Sequence, residues 1–102
     1  MNVTLQWSLP TTRTSGKPLS VTEIKHVLVE ISSDAGTTWT PLGTFPPSVL
    51  SVPITDLDFG TWEFRGFVVD QKDRVSDPRF ATLVNEDTSP PSILLALEPV
   101  PA

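Results

Sequence analysis

The chain of 102 residues contains no cysteine and no tyrosine, and it has a single histidine. Without cysteine there are no disulfides, no thiolate metal sites and no cysteine nucleophile. No Gly-x-Gly or Gly-Lys-Ser/Thr sequence is present, which excludes the usual phosphate-binding loops of nucleotide-binding proteins. The longest apolar run covers only residues 93–97, so we predict neither a signal peptide nor a membrane span.

Basic residues are also few and scattered. Seven Lys and Arg stand against twelve Asp and Glu, which gives a net charge of −5 and a pI near 4.5. Because nucleic-acid binding needs clustered positive charge, the sequence predicts no nucleic-acid partner. Eleven prolines are spread along the chain, and they argue against any long helix. The length and the 38% share of hydrophobic residues indicate one small globular domain, and the prolines favour an all-β fold.

Alternating apolar and polar residues mark the strands. In residues 2–8, Val3, Leu5 and Trp7 fall on one face, which is typical of a half-buried strand. Residues 11–18 are rich in Thr, Ser, Gly and Pro and are predicted to form an exposed loop. Six short strands at this spacing predict a two-sheet sandwich. The other five are expected over 23–32 (Val27, Val29 and Ile31 inward), 37–45, 49–54, 62–69 (Trp62, Phe64, Gly66 and Val68 inward) and 79–85 (through Phe80, Thr82 and Val84).

The composition changes near residue 86. Residues 1–86 form the predicted sandwich, and residues 87–102 form a Pro-rich linker followed by an apolar C-terminal segment. Leaving apolar side chains in water costs about 25 cal/mol per Å², so we expect this segment to dock on a surface. The residues predicted to make that contact are Ile93, Leu94, Leu95 and Leu97.

The residues that could act in catalysis or bind a metal lie on a solvated strand face or in turns, where such residues usually have no catalytic role. His26, the only histidine available to a Ser-His-Asp triad, lies next to Lys25 on a strand face where a solvated side chain is expected. Asp56, Asp58 and the acidic residues within 70–77 lie in predicted turns, where Asp side chains cap the local backbone. No cleft for paired carboxylates and no regular calcium-ligand spacing is indicated. We therefore predict no catalytic, cofactor or metal site, and a protein that is not an enzyme.

The hairpin after the second strand has the sequence Ser32-Ser33-Asp34-Ala35-Gly36-Thr37-Thr38-Trp39. This S-x-D-x-G-x-T-W pattern resembles the Asp box of sialidase-like propellers. The resemblance implies a structural hairpin in which Asp and Ser tie the turn together and Trp packs beneath it, remote from catalysis. Asp34 and Trp39 are therefore predicted to determine the fold.

A pattern of residues between about positions 3 and 84 matches one known family. It consists of Val3, Leu5, Trp7 and Pro10, the stretch 16–19 before Ile24, and Leu57, Gly60, Trp62, Phe64 and Arg65 followed by Val68, Val69, Asp70 and Ser76. With this pattern, most of the chain resembles a fibronectin type III domain. The resemblance implies an immunoglobulin-like two-sheet sandwich whose core includes Trp7.

The chain departs from that family in two places. Trp62 stands at the corner where the family has a tyrosine, so the corner must be closed in another way. The family's first strand also has no residues at the N-terminus. The apolar C-terminal segment resembles that missing strand, and it could add to its own domain or to a neighbouring copy.

The opening W-S-L-P-T-T-R-T and the Asp-box hairpin resemble fibronectin-type domains of tailed-bacteriophage virion proteins. The resemblance implies a capsid decoration protein or a tail or fibre accessory protein, made in the host bacterial cytoplasm and located in the virion. Such a module would bind a protein surface through its C-terminal strand, and it could form homo-oligomers through the same segment.

The alternative is a carbohydrate-binding or accessory module of an extracellular bacterial enzyme. It would present Trp39, with Phe45 or Phe59, on an exposed platform for sugar rings. The inward strand positions predicted for Trp7, Trp39 and Trp62 favour core packing over sugar stacking.

Overall fold

A computed structural model describes residues 3–85 and 92–101 of the chain. Within these ranges the backbone forms seven strands and a short 3-10 turn at Val21–Glu23, and it contains no α-helix. The expected all-β class is therefore confirmed. No helix in this described part is long and apolar enough to cross a membrane. The strands are β1 (Val3–Ser8), β2 (Ile24–Ser32), β3 (Thr40–Phe45), β4 (Ser51–Ile54), β5 (Gly60–Asp70), β6 (Arg79–Asn85) and β7 (Ser92–Ala96).

These strands form two sheets that pack as the layers of a sandwich. One sheet has three strands in the order β4-β1-β7, and the other has four in the order β3-β2-β5-β6. The pairings are antiparallel except that of β1 with β7, which is parallel. Strands β1, β2 and β5 are central, and the core lies between them.

The core is built by the inward side chains of the central strands. Val3, Leu5 and Trp7 all point inward from β1, as predicted, and Phe64 of β5 is fully buried. Each such side chain stabilises the fold by about 1.5–3 kcal/mol. Trp7 also donates from Nε1 to the carbonyl of Val49 at 3.1 Å. Its one polar atom is therefore satisfied inside the core.

Two sequence predictions are wrong in detail. The third strand begins at Thr40 rather than at Thr37, because the preceding residues belong to a hydrogen-bonded turn. In β6, Leu83 is buried, whereas Phe80 and Val84 are 55% and 53% exposed. Both faces of this strand carry apolar residues, so alternation selected the wrong face.

The C-terminal segment lies in its own domain, which is one of the two arrangements that the sequence left open. Strand β7 pairs with β1 from Thr4↔Ser92 to Ser8↔Ala96. It arrives after β6 of the other sheet and runs in the direction of β1, whereas a strand joined to β1 by a hairpin would be antiparallel. We call residues 92–101 the tail. The predicted linker, residues 87–91, lies outside the described residues.

Gly66 of β5 makes room for the tail. A Cβ at this position would lie 2.7 Å from Cδ2 of Leu97 and 3.3 Å from Cδ1 of Leu95. Both leucines are buried. The missing side chain therefore lets them pack directly against the backbone of β5.

Candidate interaction surface

Side-chain hydrogen bonds around Asp34 hold the hairpin between β2 and β3. The hydroxyl of Ser32 donates to Oδ1 of Asp34 at 2.6 Å and accepts from the N–H of Gly36 at 3.0 Å. Asp34 also accepts from the hydroxyl and the backbone N–H of Thr38. The bonds from Ser32 and Thr38 lower the pKa of Asp34 to about 2. Gly36 has a φ of +86°, which favours glycine.

This turn places Trp39 on the outer face of the four-stranded sheet. Trp39 precedes β3 and is half-buried, so the inward strand position expected for it is not observed. A Cβ at Gly36 would be 3.4 Å from Cζ2 of the indole. The guanidinium carbon of Arg65 lies 4.3 Å from the ring centroid, and the ring of Phe80 is 6.1 Å away, centroid to centroid. The indole therefore belongs to a surface cluster.

Arg65 is the centre of that cluster. It alternates with the buried Phe64 along β5 and so points away from the core. Its Nε donates to Oε1 of Glu30 on β2 at 2.7 Å, and its guanidinium carbon lies 5.4 Å from the ring centroid of Phe67. On its other side Arg65 is paired with Phe80 of β6. The ion pair and the cation–π contacts fix the side chain in one orientation.

We call these five residues the outer patch: Glu30, Trp39, Arg65, Phe67 and Phe80. Trp, Phe and Arg are the residue types enriched in the centres of protein interfaces. The patch is chemically suited to hydrophobic and guanidinium contacts with another molecule. Sequence alternation placed Arg65 and Phe67 on the face opposite the core, but it assigned Phe80 to the inner face, which is wrong.

Trp62, the third tryptophan singled out by the sequence, closes the corner before β5. Its Nε1 donates to the carbonyl of Asp58 at 3.0 Å, and its ring packs against the core. The indole thus ties β5 to the backbone of the turn that precedes it.

Of the four tail residues predicted to make the docking contact, the structure describes the side chains of Leu94, Leu95 and Leu97. Leu95 and Leu97 are in the core, and Leu94 is 60% exposed. Ile93 pairs through its backbone with Leu5. Leu95 and Leu97 therefore pack inside the domain, whereas Leu94 presents an apolar side chain to solvent from β7.

A buried ionic cluster, which the sequence reasoning missed, lies at the end of the sandwich where β5 ends. Arg13 is 9% exposed although it belongs to the loop that was predicted to be exposed. It donates to Asp70 at 3.0 Å, to Glu23 at 2.6 Å and to the carbonyl of Pro101 at 3.2 Å. Arg74 also donates to Asp70, at 2.8 Å. The cluster borders a surface cavity of about 280 Å³.

Asp70 accepts hydrogen bonds from Arg13, Lys72 and Arg74. Burial disfavours its charge, but hydrogen bonds from the Arg74 N–H, from both guanidinium groups and from the Lys72 N–H outweigh that effect. The pKa of Asp70 therefore lies well below its usual range. The expected capping of the local turn by Asp70 is present, and the ion pairs add a connection between four chain segments.

Across residues 3–85 and 92–101, no three His, Asp or Glu side chains converge in an arrangement that could hold a metal ion. Comparisons of the chain with protein-family models, with curated proteins and with solved structures find no match.

Proposed function

We propose that this protein is a non-enzymatic interaction module that binds a protein surface in a larger assembly through the outer patch. The observation that carries the proposal is the guanidinium of Arg65 packed against Trp39 and Phe67 beside the exposed ring of Phe80. The few hot-spot residues of an interface, which are enriched in Trp and Arg, each cost about 2 kcal/mol or more of binding free energy when they are truncated.

The rigidity of the patch supports this function. Glu30 holds Nε of Arg65, and the Asp34 turn holds Trp39. Side chains that are already ordered lose less entropy on binding, which saves about 0.5–1.5 kcal/mol for each. A flexible arginine on the same sheet would bind more weakly.

The sequence resemblance of residues 7–14 and 32–39 supports a more specific proposal. The assembly would be a tailed-bacteriophage virion, and the protein would be a capsid decoration protein or a tail or fibre accessory protein. Phage particles can be purified from the organism that carries this sequence. Mass spectrometry of these particles is expected to find the protein in a stoichiometric amount relative to the other virion proteins. Its absence from the particles would overturn the virion placement and leave the interaction function standing.

Co-sedimentation with those particles tests the outer patch. Phe80→Ser is expected to weaken binding about 30-fold, which corresponds to about 2 kcal/mol. Phe59→Ser is the matched control, because Phe59 is 67% exposed but lies in the loop before β5. Equal affinities for the wild type and both variants would contradict the proposal.

A glycan screen separates the carbohydrate-binding alternative. The ring of Trp39 is covered in part by Arg65 and Gly36, so we expect no glycan binding. Glycan binding that is lost in Trp39→Ala would replace the proposed function with a carbohydrate-binding one.

A further inference from the structure

The tail contacts the rest of the domain at three places. Its backbone pairs with β1, and the N–H of Leu97 donates to the carbonyl of Ser8 at 3.1 Å. Its leucine side chains pack over Gly66. At its far end, Val100 is fully buried and accepts from the N–H of Thr14 at 2.9 Å. We call this site, formed by β1, Gly66 and the 13–14 backbone, the acceptor groove.

The acceptor groove would be unstable if it were empty. Without the tail, the three-stranded sheet is reduced to β1 and the four-residue strand β4. Two strands alone are marginally stable in water. The free edge of β1 would also expose a row of backbone donors and acceptors, which is a template for another strand.

The groove is matched to this particular sequence. It accepts buried apolar side chains at positions 95, 97 and 100, and the close approach at Gly66 fits the two leucines. Arg13 adds a hydrogen bond to the carbonyl of Pro101. The occupant that reproduces all these contacts is the same ten residues from a second copy of the chain.

We propose that the acceptor groove takes the tail of a second copy, so that the protein forms strand-exchanged oligomers. Every contact between tail and groove is then the same as in the monomer. At low protein concentration the monomer, in which the groove holds the tail of the same chain, is favoured. This is because that tail is present at a high effective concentration. Exchange increases with protein concentration and after partial unfolding. This self-association does not use the outer patch.

Single cysteines can detect the exchange, since the natural chain has none. Gln6 and Leu94 are both exposed and are paired in the register of β1 with β7. A mixture of Gln6→Cys and Leu94→Cys full-length chains is warmed through unfolding, cooled at high concentration and oxidised. We expect a 6–94 disulfide dimer, identified by mass, at ten times or more the amount formed by a control mixture of Gln6→Cys and Phe59→Cys.

Three outcomes decide the proposal. A 6–94 dimer whose amount rises with concentration supports it. Equal amounts of 6–94 and 6–59 dimers would overturn it, as would chains that remain monomeric at every concentration.

Repeating the mixture with Phe80→Ser in both chains is expected to leave the 6–94 dimer unchanged. Loss of the dimer in that background would instead assign self-association to the outer patch, so the two proposals fail separately.

Discussion

Gly66 matters because of what it lacks. Its inward position lets Leu95 and Leu97 reach the backbone of β5. The stability of the tail therefore depends on a residue that has no side chain of its own. A methyl group at position 66 would contact Cδ2 of Leu97. That side chain could move away only by losing part of its packing.

We expect Gly66→Ala to lower the free energy of unfolding by about 1–3 kcal/mol, the usual cost of overpacking a core. Urea denaturation measures the loss. In a Leu97→Ala background the same change is expected to cost less, because the contact at 2.7 Å has been removed. Equal costs in the two backgrounds would show that Gly66 acts through its backbone conformation instead.

The low pKa of Asp70 makes the free energy of unfolding depend on pH. Its pKa is lower in the folded chain than in the unfolded chain, where it is about 3.9. The stabilisation is therefore complete above that pH and is lost as the pH falls toward the folded-state pKa. Removing the charge also leaves Arg13 and Arg74 without their shared carboxylate.

We expect Asp70→Asn to cost about 3–5 kcal/mol at pH 7, the usual result of breaking a buried ion pair. Its unfolding free energy should also fall less steeply than that of the wild type between about pH 5 and pH 3. Asp73→Asn is the control, since Asp73 pairs with Lys25 where both are exposed. The prediction fails if the two variants show the same stability at neutral pH.

At the scale of the element, the β2–β3 hairpin joins a local sequence pattern to the outer patch. The bonds from Ser32 and Thr38 to Asp34 fix the turn, and the turn fixes Trp39. We expect Asp34→Ala to lower the melting temperature by a few degrees and to change the near-ultraviolet circular dichroism of the tryptophans. Ser33→Ala, in the same turn, should change neither. An unaltered spectrum in Asp34→Ala would mean that Arg65 alone positions the indole.

Elements with one apolar face were predictable from the sequence, and elements with mixed faces were not. Strand β1 has apolar residues only at alternate positions, so its face was evident. In β6, Phe80 and Leu83 lie on opposite faces, and no local signal selects between them. Arg13 was missed for a different reason. Its partners Asp70 and Pro101 lie 57 and 88 positions away, so only the folded chain brings them together.

At the scale of the whole molecule, the tail completes one of the two sheets. We expect a chain that ends at Asp87 to lose cooperative urea unfolding and near-ultraviolet dichroism, because β1 and β4 cannot maintain that sheet alone. The full chain with Leu94→Ser is the control, since that side chain is exposed. A shortened chain that still unfolds cooperatively would show that the four-stranded sheet folds independently of the tail.

The parallel pairing of β1 with β7 also determines how the molecule bears a load. Residue 3 lies at one end of the paired strands and residue 101 extends beyond the other. A force applied between these points pulls the two strands in opposite directions along their length. All five register pairs, from Thr4↔Ser92 to Ser8↔Ala96, then resist together in shear, whereas an antiparallel hairpin pulled at its open end separates one pair at a time. Single-molecule pulling between residues 3 and 101 should therefore require a higher unfolding force than pulling between residues 3 and 54, which separates β1 from β4 starting at Val3↔Ile54.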